Sequence, residues 1–235
     1  MKHHRNPVNK KKKTGLSPGT LVYTGEQKSE QPLLSGIQYN VLNIEHLDET
    51  VCLKTKCQEG FQYWFDVRGI HDVELIARIG EQFNINKLIL EDVMDPGQRI
   101  KIEDYDSAVF VVLSNLEYDK ASSMLRKEQI AIYVTEQYLI SFQENPDDTF
   151  SVLRDRMSME GSKTRSRGTD YLLYAMLDYL VDKYFLILDA FSDEIEIQEE
   201  RVYQKEFELS MEELYQLRNH IVSLKRLIFP LREEL

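Results

Sequence analysis

The segment LILEDVMDPGQRIKIEDYDSAVFVVL, residues 88–113, contains two adjacent carboxylates, Glu91 and Asp92, at the end of an apolar run. A Pro-Gly pair follows, and the run before it is predicted to form a short helix that ends there. Negative charges at the C-terminus of a helix are electrostatically unfavourable, so a nearby cation would stabilise them. Spacing alone leaves two interpretations open: an exposed polar edge, or carboxylates that bind a cation.

The sequence offers little other chemistry. It lacks the phosphate-binding loop Gly-x-x-x-x-Gly-Lys-Ser/Thr, the dinucleotide motif Gly-x-Gly-x-x-Gly and the nucleophile elbow Gly-x-Ser-x-Gly. His46, His71 and His220 are far apart in sequence and have no metal-ligand spacing. We therefore expect neither nucleotide hydrolysis nor acyl transfer, and an enzyme is the least favoured function class.

The charge is negative overall but unevenly distributed. The 235 residues carry a formal net charge of −11, with a pI near 5.0. This balance argues against nucleic acid as the main partner and favours cations or basic surfaces. The exception is the lysine-rich start of the chain, and residues 1–20 are predicted to form a basic, disordered N-terminal arm.

Residues 21–165 are predicted to form one α/β domain. Runs rich in β-branched and aromatic residues predict strands, while the apolar spacing of HDVELIARIGEQFNI predicts an amphipathic helix and DTFSVLRDRMSME a polar one. The predicted strands are GIQYNVLNIEHL, ETVCLKTKC, FQYWFDVRGI, SAVFVVLSNLEY, EQIAIYVTEQ and YLISFQE. A sheet with helices between its early and late strands is the simplest assembly of these elements.

Residues 166–235 have a different character and are predicted to form a long acidic helical hairpin. Apolar residues recur along one face from Leu173 to Ile195, and a second stripe begins at Leu214. A break is expected near Lys205, and Ser210 is predicted to open a capping box. The chain ends on FPLREEL in the middle of this pattern, so we expect that the second helix continues in a longer protein.

Several segments, in the same order, resemble the cytosolic domain of the CorA magnesium transporters. They are GLSPGTLVYTG, DVRGIHDVELIARIGEQFNINKLILEDVMDPGQRIKIEDYDSAVFVVL, TDYLLYAMLDYLVDKYFLILDAFSDEIEIQEE and IFPLREEL. The resemblance implies an α/β/α sandwich with a mixed sheet, followed by two long antiparallel helices, a stalk helix and a pentameric membrane pore. The pore signature Gly-Met-Asn and the membrane helices are not in this sequence, so this part alone is not expected to transport.

The resemblance also implies a metal site. It assigns Glu91, Asp92 and Asp178 as carboxylates that bind Mg²⁺ between neighbouring subunits, with the backbone carbonyl of Leu16 as a further ligand. The family also uses an aspartate on the stalk, beyond Leu235. Mg²⁺ dehydrates reluctantly and keeps several waters, so weak binding is expected, and the site is expected to be incomplete in this part of the protein.

The predicted function is therefore the cytosolic regulatory domain of a CorA-type channel, in which Mg²⁺ between subunits favours the closed state. Co²⁺ and Ni²⁺ are further candidate ions. The complete protein is expected in the inner membrane as a pentamer, with this domain on the cytoplasmic side and monomeric or weakly associated by itself. Two alternatives stay open: the cytosolic domain of a related zinc transporter, and a helical interaction module without metal function.

Overall fold

The computed structural model describes residues 15–120, 122, 124–203 and 211–234. Most of the predicted basic arm and the predicted cap at Ser210 lie outside these residues. Within them the chain forms seven strands: β1 Leu33–Tyr39, β2 Ile44–Leu47, β3 Gln62–Arg68, β4 Lys101–Tyr105, β5 Ala108–Asp119, β6 Met124–Thr135 and β7 Tyr138–Gln143. The helices of the same residues are α1 Glu49–Cys52, α2 Val73–Gln82, α3 Lys87–Val93, α4 Ser151–Ser158, α5 Lys163–Ser166, α6 Thr169–Tyr203 and α7 Met211–Glu234.

The strands form one mixed sheet in the order β2-β1-β3-β7-β6-β5-β4. Every neighbouring pair is antiparallel except β3 and β7, which run parallel in the register Phe65↔Ile140. A parallel pair needs a long crossover connection. Here the crossover contains α2, α3 and the β4–β6 strands, so the predicted mixed sheet is confirmed.

The two faces of the sheet are covered by different helices, which gives the predicted three-layer α/β/α arrangement. Successive side chains of a strand point to opposite faces. Phe65 of β3 therefore joins a buried cluster with α2 and α3, whereas Trp64 joins a second cluster with α4, α6 and α7. The carboxylates of α3 and the acids of α6 consequently belong to opposite layers.

The long helix α6 contributes directly to the core of the sheet. Leu172, Met176 and Leu180 are buried in the cluster that contains Trp64, and Leu224 of α7 joins the same cluster. A long helix after the sheet was predicted and is confirmed, while a domain boundary at residue 165 stays a prediction. None of the helices within the described ranges combines the length and the apolarity that a membrane span requires.

Two predictions near the start of the sheet need correction. The run ETVCLKTKC was predicted as a strand, but its first residues form α1, because the Asp48 carboxylate accepts a hydrogen bond from the Val51 amide and caps the helix. The run GIQYNVLNIEHL was predicted as a strand and contains parts of two, β1 and β2. The Asn40 side chain turns the chain between them by accepting bonds from the Leu42 and Asn43 amides.

Candidate metal site

Helix α3 is a short amphipathic element that holds the two candidate carboxylates. The Asn86 side chain caps its start by accepting a hydrogen bond from the Leu88 amide. Ile89, Leu90 and Val93 are buried in the core cluster below, and they fix the side of the helix that faces the sheet. Glu91 and Asp92 are only partly buried, so their carboxylates remain accessible at the surface.

Asp92 is bonded through both carboxylate oxygens. Its Oδ2 lies 2.7 Å from the Lys101 Nζ, and its Oδ1 accepts a hydrogen bond of 2.6 Å from the Nε2 of the Gln98 side chain. The side chains of Asp92 and Lys101 are each 23% exposed, so this ion pair is half-buried. A cation was expected near the C-terminal end of this helix, and within one chain it is a lysine ammonium.

Lys101 is shared between two acids. Its Nζ also lies 2.7 Å from a carboxylate oxygen of Glu103, which in turn accepts a hydrogen bond from the Tyr105 hydroxyl. Burial lowers the pKa of Lys101, but its bonds to Asp92 and Glu103 outweigh that effect and the net pKa is raised. Burial raises the pKa of Glu103, but the bonds from Lys101 and Tyr105 leave it below its ordinary value. Both groups are therefore charged at neutral pH.

The segment before β1 runs along α3 and brings the Leu16 region towards Glu91. The Gly19 amide donates a hydrogen bond of 2.8 Å to the Glu91 carboxylate. Further along, Thr24 bonds the helix end twice, with its amide to the Met94 carbonyl and its hydroxyl to Asp95. Leu16 is 47% exposed and lies three residues before Gly19. The structure thus brings the Leu16 region, Glu91 and Asp92 to one side of the molecule.

Asp178 does not join these residues within one chain. It is exposed on α6, whose neighbouring residues Met176 and Leu180 pack on the opposite face of the sheet. Among the residues that the structure describes, no three His, Cys, Asp or Glu side chains form a cluster that could hold a metal. One copy of the chain therefore presents the predicted ligands as two separate half-sites.

The chemistry of the α3 half-site suits a hard divalent cation. Mg²⁺ prefers oxygen ligands and is commonly bound through one or two carboxylates with several retained waters. Glu91 and Asp92 offer such oxygens at a partly exposed position, and exposure leaves room for those waters. The donors fit the ion, but they need further ligands from outside this half-site.

Sequence reasoning named the carboxylates as candidate ligands and did not predict the residues that position them. Lys101, Gln98 and Glu103 were not predicted as parts of the site. The available signal was the turn at Pro96 and Gly97, which ends α3 and returns the chain towards it as β4. A lysine and a glutamate two positions apart, on the same face of a strand that follows such a turn, could have indicated the ion pairs.

Comparisons with known proteins find a matching family model and a related protein with a similar sequence. Residues 60–235 match the family model described as CorA-like Mg2+ transporter protein. The cobalt/magnesium transport protein CorA of Thermotoga maritima is 35% identical over 230 residues, which cover 95% of this chain and 64% of the relative. The chain thus spans less than two thirds of that relative's length.

Two solved structures share the fold at 16% identity. The full-length CmaX protein matches with a TM-score of 0.71, over 88% of this chain and 63% of that one. The soluble domain of CorA from Methanocaldococcus jannaschii matches with a TM-score of 0.64, over 85% of this chain and 76% of that domain.

Proposed function

The chain belongs to the CorA-like Mg²⁺ transporter family, and from this membership we propose that it is the cytosolic metal-sensing part of a divalent-cation transporter. In this proposal Mg²⁺ binds between neighbouring copies of the domain and favours the closed state of the complete protein. The ligands that this chain would supply are Glu91, Asp92 and the Leu16 carbonyl of one copy, with Asp178 of the next. The proposal assigns no enzymatic activity to the chain.

The observation that carries the proposal is the position of Asp92 and Asp178 on opposite layers of the same sheet. Two carboxylates so placed cannot share an ion within one chain. A ring of identical copies, in which the α3 layer of one faces the α6 layer of the next, would bring them together. Such a head-to-tail contact closes into a ring when its rotation allows, and the resemblance to the family implies a ring of five.

The surface around Asp178 supports a contact with another copy. Tyr174, one turn before Asp178, is 58% exposed, and Phe185, two turns after it, is 60% exposed. These residues share one face of α6 with Asp178, because positions four and seven apart lie close together on a helix. Exposed aromatic residues beside a carboxylate are suited to an interface that also binds a cation.

The sensing mechanism follows from charge. Carboxylates that face each other across an interface repel when bare and are bridged when a divalent ion is present. Metal occupancy therefore changes the free energy of the closed assembly relative to other arrangements. When several equivalent interfaces share one transition, their small differences in affinity combine into a steep response. Weak binding at each site lets the occupancy follow changes in the concentration of free Mg²⁺.

Millimolar Mg²⁺ is expected to stabilise the 235-residue chain in dilute solution by ~1 kcal/mol or less, because one copy presents only half-sites. The corresponding rise in Tm is about 2–4 °C for a chain of this size. The stabilisation should increase as the protein concentration is raised, because copies then meet and can bring Asp92 of one and Asp178 of the next to the same ion. Thermal unfolding at low and high protein concentration, with and without Mg²⁺, measures both effects.

Asp178→Asn is expected to abolish the increase with protein concentration, whereas Asp189→Asn, at another exposed acid of α6, should retain it. A Tm rise of ten degrees or more in dilute solution would contradict the proposal, because it would require a complete site within a single chain.

A further inference from the structure

The side chain of Lys101 forms an ion pair with Asp92, one of the candidate metal ligands. Lys101 lies at the start of β4, against α3, with its Nζ 2.7 Å from both Asp92 and Glu103. We propose that Lys101 is a resident cation that competes with the divalent ion for Asp92 and sets the concentration at which the ion binds. This inference rests on the proposed function, since it concerns the same carboxylate.

An ion that binds at Asp92 comes close to two existing partners of the carboxylate. Both carboxylate oxygens already accept a bond, one from Gln98 and one from Lys101. Gln98 is neutral and can remain beside a bound ion, whereas the Lys101 ammonium and a divalent cation repel each other. Lys101 is therefore the partner that is displaced.

The ammonium also discriminates between ions. It is attached to the same chain, so its effective concentration at Asp92 is high compared with that of a free ion. A monovalent cation brings no more charge than the ammonium that it would replace. A divalent cation brings twice that charge and gains a second carboxylate from the neighbouring copy. Lys101 thus favours occupation of the site by divalent ions.

Glu103 gives Lys101 a second position when the ion binds. The Lys101 ammonium can leave Asp92 and keep its bond to Glu103, which the Tyr105 hydroxyl holds in place at 3.0 Å. Moving the Lys101 ammonium away from Asp92 therefore costs less free energy than it would if Asp92 were its only acidic partner. The strength of the Lys101–Glu103 ion pair determines the size of this difference.

The test uses variants of the complete transporter in detergent and measures how Mg²⁺ protects each of them from protease. The quantity compared is the midpoint, which is the Mg²⁺ concentration that gives half-maximal protection. Lys101→Met removes the competing charge and should lower this midpoint by about 5-fold or more, given the usual strength of charge-assisted hydrogen bonds. Glu103→Gln removes the second partner of Lys101 and should raise the midpoint by about 3-fold. The two substitutions therefore act in opposite directions.

The double variant separates the roles of the two residues. If Glu103 acts through Lys101, adding Glu103→Gln to Lys101→Met should change the midpoint by less than about 2-fold. Lys101→Arg keeps the charge and should not lower the midpoint, because a guanidinium binds carboxylates at least as well. Urea unfolding of each variant verifies that it is folded, and Lys101→Gln replaces Lys101→Met if the latter is not.

The outcomes distinguish this inference from the function on which it rests. A midpoint that Lys101→Met leaves unchanged or raises, in a protein where Asp92→Ala still shifts it, overturns the role of Lys101 alone. A midpoint that does not respond to Asp92→Ala overturns the proposed metal site and this inference with it. A lower midpoint in Lys101→Arg would also contradict the inference, since it would assign the effect to shape and not to charge.

Discussion

Replacing Asp92 with alanine is expected to raise the Mg²⁺ concentration for half-maximal protease protection of the complete transporter by at least ~10-fold, since losing even an outer-shell partner commonly costs that much metal affinity. The substitution removes the carboxylate that is proposed to bridge to the ion and leaves Lys101 paired with Glu103. The proposed gating response to cytosolic Mg²⁺ should weaken in parallel. The measurement is limited proteolysis over a range of Mg²⁺ concentrations, with chelator at the end point.

Lysine at the same position should have a different effect. A fixed ammonium at residue 92 would lie near the proposed position of the ion and could pair with Asp178 of the neighbouring copy, although a flexible amine copies a hydrated dication only roughly. Lys101 can turn to Glu103 and reduce the repulsion between the two lysines. Protection in Asp92→Lys is therefore expected to persist after chelation of Mg²⁺.

Asp106→Ala is the matched control, because Asp106 is an exposed acid in the turn between β4 and β5. Its midpoint should equal that of the wild type. If wild type, Asp92→Ala and Asp92→Lys all lose protection at the same Mg²⁺ concentration, Asp92 is an exposed polar edge of α3 and binds no metal that affects assembly.

A large effect on stability is expected at Asp66, which lies on the other face of the sheet. Its side chain is fully buried and accepts bonds of 2.6–2.7 Å from Arg68, Arg154, Ser141 and Gln143. Removing one partner of a buried ion pair leaves charge uncompensated, and Asp66→Asn should lower the free energy of unfolding by about 3 kcal/mol. For a chain of this size the corresponding fall in Tm is about 10 °C.

Urea unfolding of the 235-residue chain measures this loss, and Asp147→Asn, at an exposed acid in the loop before α4, serves as the control. The control should differ from the wild type by less than ~0.5 kcal/mol. Equal stabilities of Asp66→Asn and the wild type would mean that the network which joins β3, β7 and α4 contributes no net stability.

Most of the sheet and the long helices could be predicted because their periodicity is strong. The twelve-residue strands β5 and β6 and the 35-residue α6 each contain an apolar pattern long enough to separate strand from helix. The four-residue α1 is too short for such a pattern, and its only local signal was the cap at Asp48. Short elements depend on single hydrogen bonds that a pattern does not capture.

Long-range polar contacts could not be predicted. Arg154 contacts Asp66 from 88 positions away in sequence, and this contact depends on how α4 packs against the sheet. Lys101 reaches Asp92 only because β4 pairs with β5 at the edge of the sheet beside α3. The sequence could indicate that the carboxylates of α3 need a nearby cation. Only the folded structure shows that, within one chain, Lys101 supplies it.

The most direct test of the inter-copy site is a chemical cross-link between positions 92 and 178 in the complete transporter. Asp92→Cys and Asp178→Cys are combined with Cys57→Ser, which leaves the buried Cys52 as the other cysteine of the described residues. After treatment with a short bismaleimide, the double variant should form a ladder of linked copies on a denaturing gel, while each single variant should give one band. If the double variant stays a single band although both cysteines react with a monofunctional maleimide, Asp92 and Asp178 do not meet between copies, and the central proposal is wrong.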